Sequence, residues 1–348
     1  MKPHLNTCGM TPENAAGAIL LPSQDCGVKC LPRPLFLVYN ARPYRFRMLS
    51  MFRNLRFYRV TSPWPESEEQ LSEALSVNTF SPCGPFAERS AGWESPGSDE
   101  NGLLCRRLNG ADLLQLRTQS RVLPVAAVNE ALEERLAEFR TRMKMEPTRG
   151  EVRRLKEETR DSLLSKSLVK SERNRACYIQ SESLLVIDAG TATKAEWVID
   201  QLRACFDQFF CIPLTFNNLP ADLLTGIFMG DAPLGLSLGR ECRMQDVSDS
   251  KATVTWREFE LSDHSIRQHV VEGMKITHLG VVFDEVMTCV IDQDAVISKV
   301  KFIQGEAVEQ WGEDPQARLD AEFVLLTGAV RRLVEDLKKL LGGYAHNA

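Results

Sequence analysis

Long apolar runs, net positive charge and nucleotide-binding signatures are all missing from this sequence. Apolar stretches such as residues 19–21 and 35–39 fall far short of the roughly 20 residues that a bilayer-spanning helix needs, which argues against a transmembrane segment. With 42 Lys and Arg against 47 Asp and Glu, the chain carries −5 and has a pI near 5.7. That excludes a protein basic as a whole, so any nucleic-acid site has to be a local patch. No G-x-x-x-x-G-K-[ST] loop, no G-x-G-x-x-G after a strand and no H-E-x-x-H helix occur, which removes the usual machinery of triphosphate-driven and zinc-protease chemistry. The N-terminus lacks the basic, apolar and small-residue order of a targeting peptide. The ten cysteines are scattered through 348 residues, as expected of reduced thiols in a cytoplasmic protein rather than of a disulfide framework.

What is present is an ordinary globular composition, 43% hydrophobic and 26% charged, in a chain long enough for two or three compact units. Residues 1–50 mix Pro, Gly, Cys and Asn without a period of 3.6 or 2, and Met48 and Met51 are each plausible start codons. This stretch reads as a disordered or misassigned extension. Its Cys26 and Cys30 are spaced for half a zinc site, with no second pair to complete one.

From Met51 the pattern becomes structured. Residues 52–60 alternate as a strand, and a helix with Leu71, Ala74 and Leu75 on one face follows. Residues 113–117 form a short strand. Val125, Val128, Leu132, Leu136, Phe139 and Met143 then fall on one helical face behind Pro124. Pro147 interrupts, and Thr148 with Glu151 makes a T-x-x-E capping box for a second helix, giving an αα-hairpin. A strand is expected at 184–187 and a helix at 193–206. Strands are expected again at 277–283, 287–291, 296–302 and 322–326, with a last helix capped by Thr327 and stopped by Gly342 and Gly343.

Residues 121–175 hold 14 Lys and Arg against 10 Asp and Glu, a positive excess in an acidic chain. On the second helix of the hairpin, Arg149, Arg153, Lys156 and Arg160 project within about 40° of one direction, while Glu151, Glu158 and Asp161 point to the far side. Such a run most often forms a solvated face laced with i,i+4 pairs such as Arg154 with Glu158. Its continuation through Lys166, Lys170, Arg173 and Arg175 favours a phosphate-binding arm that reads no bases.

Catalytic signals are weak by comparison. Gly235-Leu236-Ser237-Leu238-Gly239 matches G-x-S-x-G, but Pro233 precedes it and a poor helix start follows it, so no nucleophile elbow is expected. His264, His269 and His278 have no standard ligand spacing toward Cys289. Asp284, Glu285, Asp292 and Asp294 suit turns between strands better than a nuclease metal site. No catalytic residue, metal or cofactor is assigned.

Several stretches taken together resemble the bacterial recombination-associated RdgC family: Phe52-Arg53-Asn54-Leu55 with Tyr58-Arg59, Phe80-Ser81-Pro82-Cys83-Gly84, Gly92-Trp93, Leu123-Pro124, Phe323-Val324-Leu325-Leu326-Thr327-Gly328, and Leu341-Gly342-Gly343. The likeness covers nearly all of residues 51–344 and none of 1–50. It implies an α+β fold of mixed sheets with a protruding αα-hairpin finger on an elongated multi-domain subunit. The expected parts are a central domain over 51–122 and 177–215, a finger over 123–176 and a strand-rich base over 216–348. It further implies a ring-shaped homodimer around double-stranded DNA, association with the nucleoid and restraint of RecA-promoted strand exchange. In that family an aromatic residue near the finger tip helps two fingers engage, and this sequence offers Leu168 instead. Arg149, Arg153, Lys156, Arg160, Lys166 and Lys170 are the expected DNA contacts. The competing readings are a metal-dependent nuclease and a protein-interaction scaffold.

Overall fold

The computed structural model describes residues 51–97, 102–249, 251–303 and 314–345. Cys26, Cys30 and the rest of the N-terminal extension lie outside them. The first half of the chain gives β1 (Arg56–Val60), α1 (Glu68–Ser76), β2 (Arg89–Glu94), β3 (Cys105–Leu108), β4 (Ala111–Val122), α2 (Val125–Met143), α3 (Arg149–Leu164), β5 (Leu168–Ile179), β6 (Leu184–Ile187), α4 (Ala192–Arg203) and β7 (Cys211–Pro213). The second half gives α5 (Pro220–Met229), β8 (Leu236–Asp246), β9 (Thr253–Arg257), α6 (His264–Val271), β10 (Met274–Phe283), β11 (Met287–Asp292), β12 (Ile297–Phe302) and α7 (Pro315–Leu340).

The fold is α+β. A seven-stranded sheet runs β2-β4-β5-β6-β1-β7, with β3 sharing the outer edge of β4, and a five-stranded sheet runs β12-β11-β10-β8-β9. Every pairing between these strands is antiparallel, which corrects the expectation of mixed sheets. The longest ladder joins β4 to β5 in unbroken register from Ala111 opposite Ile179 to Val122 opposite Leu168. The helical pair α2–α3 is the connection between these two strands.

Side-chain alternation sorts the large sheet into two faces. Tyr58, Leu114, Leu116, Ala176, Leu185 and Ile187 point toward α1 and α4, meeting Leu71, Leu75, Ala195, Val198 and Leu202 in one core. Leu113, Cys177, Leu184 and Val186 point the other way, into a second core built with α5, α7 and the inner face of the small sheet. The segment before β1 fastens the sheets together, since Leu55 exchanges two backbone hydrogen bonds with Ile297 at 2.8 and 3.1 Å. Where β8 and β10 cross, a Cβ on Gly239 would come within 2.7 Å of the Gly280 carbonyl carbon, so the bulged pairing there admits no side chain.

Two stretches differ from their sequence-based expectation. Residues 322–326 are helical, not a strand, and Thr327 lies inside α7 rather than at its cap. Phe323, Leu326, Val330, Leu333, Val334 and Leu337 form a buried stripe roughly 100° wide at 100° per residue, and Val324 and Leu325, apolar but exposed outside it, complete a consecutive apolar run that mimics a strand. Buried Thr327 satisfies its hydroxyl by donating to the Phe323 carbonyl at 2.9 Å. The second difference is the basic arm, which is helical only to Leu164; from Leu168 it is β5.

Candidate nucleic-acid interface

The helix α3 starts as its sequence requires. Thr148 Oγ1 accepts from the Glu151 amide at 3.4 Å, and the Glu151 carboxylate accepts the Thr148 amide at 2.7 Å. That backbone bond holds the Glu151 carboxyl below the usual glutamate range. Against α2, the helix buries Thr159 and Leu164 while Val128, Leu132, Leu136 and Phe139 are buried on α2. The narrow apolar contact leaves the basic stripe in solvent: Arg149, Arg153, Lys156 and Arg160 are all exposed.

The stripe is partly neutralised. Arg153 pairs with Glu157 at 3.1 Å within the helix, and Arg160 pairs with Glu88, next to β2 on the large sheet. Arg154 pairs with Glu158 at 3.5 Å, the i,i+4 contact expected of a solvated face. Arg149 and Lys156 have no ionic partner among the described residues. A groove at the root of the pair gathers Lys156, Arg160 and Leu164 from α3, Val128 from α2, and Arg121 and Leu123 from the end of β4. Arg121 is a structural fastener there. Its guanidinium donates to the Leu164 carbonyl at 3.0 Å, the Ser167 carbonyl at 3.3 Å and the Gly84 carbonyl at 3.1 Å, capping the C-terminal end of α3 with positive charge.

The remaining expected cations do not continue the helical stripe. Lys166 sits in the turn after α3 without an ionic partner among the described residues, whereas Lys170 is on β5 and pairs with Glu172 at 2.6 Å. Alternation along β5 sends Lys170 to the α4 face of the sheet, and Arg173 and Arg175 to the opposite one. Leu168, the expected dimer contact, is 80% exposed, but it begins β5 at the root of the helical pair rather than near its tip. There it stands opposite Val122, beside exposed Val125. The turn between the helices presents Met143 and Met145 instead.

Arg117 was not singled out from sequence, because its importance depends on cross-strand register. It is the direct partner of Arg173, and Glu94 lies within reach of both.

The other chemistry-bearing residues have local structural roles. The Gly235 to Gly239 segment runs into β8, with no helix after it. Asp284 turns the chain between β10 and β11 and pairs with Arg332 at 3.5 Å. Asp292 Oδ1 accepts the amides of Asp294 and Val296 at 2.9 and 2.8 Å. His269 lies against the Trp256 ring at a centroid distance of 5.4 Å, while His264 and His278 sit apart on α6 and β10. No group of three His, Cys, Asp or Glu among the described residues is arranged to hold a metal ion. Nor is any described helix long and apolar enough to cross a membrane.

The molecule is therefore an antiparallel α+β protein in which a helical pair, one of its helices charge-segregated, connects the two strands of the longest ladder of the larger sheet. The chain belongs to the RdgC family: the family model described as "Putative exonuclease, RdgC" matches residues 50–344. Recombination-associated protein RdgC of Xanthomonas oryzae pv. oryzae (strain PXO99A) is 34% identical over 288 residues, covering 81% of this chain and 95% of that protein. The proteins of the same name from Janthinobacterium sp. (strain Marseille) and Cupriavidus necator are each 29% identical over 295 residues, covering 84% of this chain and 98% of their own.

Proposed function

We propose that this protein binds double-stranded DNA through its backbone, without sequence preference and without cleaving it. In this reading it is a nucleoid-associated cytoplasmic protein that acts in recombination as a ring-shaped homodimer, restraining RecA by occupying the duplex. The observation that carries the reading is the stripe on α3, where Arg149 and Lys156 have no ionic partner among the described residues and stand beside Arg153 and Arg160. Cations at helical spacing attract phosphates but have no means of reading base edges. An acidic protein can bind DNA in this way when its positive field is confined to one surface and the rest stays negative. The relatives' name, recombination-associated protein, agrees with such a role.

A second reading is favoured by the description of the family model, which includes an exonuclease. The turn carboxylates speak against it, since Asp284 is engaged by Arg332 and Asp292 by two backbone amides. Unrelated duplexes of equal length should bind the full-length protein with affinities within about threefold of one another, since the backbone term is sequence-independent. They should stay intact with magnesium or manganese. Strong preference for one sequence, or cleavage that disappears in Asp292→Asn, would overturn the proposal.

A further inference from the structure

The face of the large sheet that meets α7 changes character along β4. Leu113 and Cys177 are part of the core, yet the next two rungs of the same face are Gln115 opposite Arg175 and Arg117 opposite Arg173. On the other side of β4, Glu94 is the partner of Gln115. Alternation puts all five side chains on one surface. A cleft of about 590 Å³ opens over them, bounded on its far side by Gln316 and Leu319 of α7.

Among the described residues, three guanidinium groups share this cleft with a single lining carboxylate. Glu94 Oε1 accepts from Arg173 Nε at 2.6 Å and from Gln115 Nε2 at 3.0 Å, and its Oε2 takes Arg117 Nη1 at 3.4 Å. Arg175 donates Nε to Gln115 Oε1 at 2.9 Å and has no carboxylate within ion-pair distance among the described residues. Arg117 Nε is buried with no hydrogen-bond partner among the described residues, an unmet donor in the same cluster. Burial lowers the Arg175 pKa, while Glu322 and Asp188 pull it back up from a distance. Among the described residues the cleft is thus short of negative charge and short of acceptors, and a Glu94 carboxylate already occupies the place of an oxyanion between two guanidinium forks.

We propose that this cleft is a phosphate-binding site, in which a backbone phosphodiester of duplex DNA takes the place of Glu94 between Arg117 and Arg173. Glu94 is then a built-in competitor that weakens binding. The proposal rests on the duplex-binding reading above and extends it from α3 to the sheet. Continuity supports the extension: Arg121, on the same face six residues beyond Gln115, lines the groove that holds Lys156 and Arg160. Six strand residues span roughly 20 Å, about the rise of six base pairs. One duplex can therefore lie along both groups of cations.

The test measures binding of a labelled duplex to the full-length protein, to Arg173→Gln and to Glu94→Gln across a salt series. Arg173 is more than half exposed, and glutamine at either position keeps hydrogen-bonding capacity, so both variants should fold. Arg173→Gln should bind roughly five- to tenfold more weakly at 0.1 M salt, with a log–log slope shallower by about 0.9, the loss of one phosphate contact. Glu94→Gln should bind several-fold more tightly. If the parent binds and both variants match it, or both weaken, the cleft assignment is wrong while the duplex reading stands. If the parent does not bind duplex at low salt, the duplex reading falls and the cleft with it.

Discussion

Arg107 and Asp112 face each other across the β3–β4 hairpin, where a carboxylate with no exposed surface receives both arms of one guanidinium, at 2.5 and 3.0 Å. The same carboxylate accepts Trp64 Nε1 at 2.8 Å, tying the loop before α1 to the sheet. Asp112→Ala leaves Arg107 mostly buried without its counter-charge and the indole N–H without an acceptor. The expected loss is about 3–5 kcal/mol, read as a fall in the urea midpoint. Pairing Asp112→Ala with Arg107→Met should restore much of that stability, because an apolar replacement leaves no uncompensated charge.

Asp292 gives the pH dependence a definite sign. Burial raises its pKa above 3.8, outweighing the two backbone amides that favour the ionised form. As pH rises, the unfolded chain releases this proton first, and the folded protein retains it to higher pH. Stability contributed by this residue is therefore lost as pH climbs from the unfolded toward the folded value. In Asp292→Asn the carboxamide oxygen still accepts the amides, but there is no proton to lose. Thermal melts should show the variant gaining on the parent between about pH 3 and 6; a difference independent of pH would refute the assignment.

The cysteines separate by burial. Burial pushes the thiols of Cys105, Cys177, Cys242 and Cys289 up to about 12, and that of Cys211 to about 11, whereas Cys83 is partly exposed beside the turn after Phe80. Since the thiolate is the reactive form, alkylation of the folded protein at pH 8 followed by peptide mapping should label Cys83 well ahead of those five. Labelling Cys177 or Cys289 as fast as Cys83 would show that the core around α7 opens readily.

Much of the fold was legible where one period dominates. The α2–α3 pair is marked by Pro124, by the Thr148–Glu151 box and by apolar residues at helical spacing, and the strands around β6, β11 and β12 are short and apolar. Legibility failed where one side of an element is buried and the other is charged along only part of its length. Residues 118–122 of β4 and 168–175 of β5 are mostly polar, so their sequence resembles a solvated arm, and only the twelve-residue ladder between them reveals a sheet. In α7 the reverse holds: Phe323, Val324, Leu325 and Leu326 are consecutive and apolar, which hides a helical period. The α3 stripe was legible because helix geometry alone collects it. Its neutralisation by Glu88 and the meeting of Arg117 with Arg173 depend on residues 72 and 56 positions apart, and local spacing carries no information about such pairs.

The central claim is that the α3 stripe touches DNA phosphates, and the salt dependence of duplex binding tests it most directly. The full-length protein should lose affinity linearly in log salt, and the combined change Arg149→Glu, Arg153→Glu, Lys156→Glu and Arg160→Glu should weaken binding and make the slope shallower by roughly two to four. An unchanged affinity and slope in that variant would contradict the account.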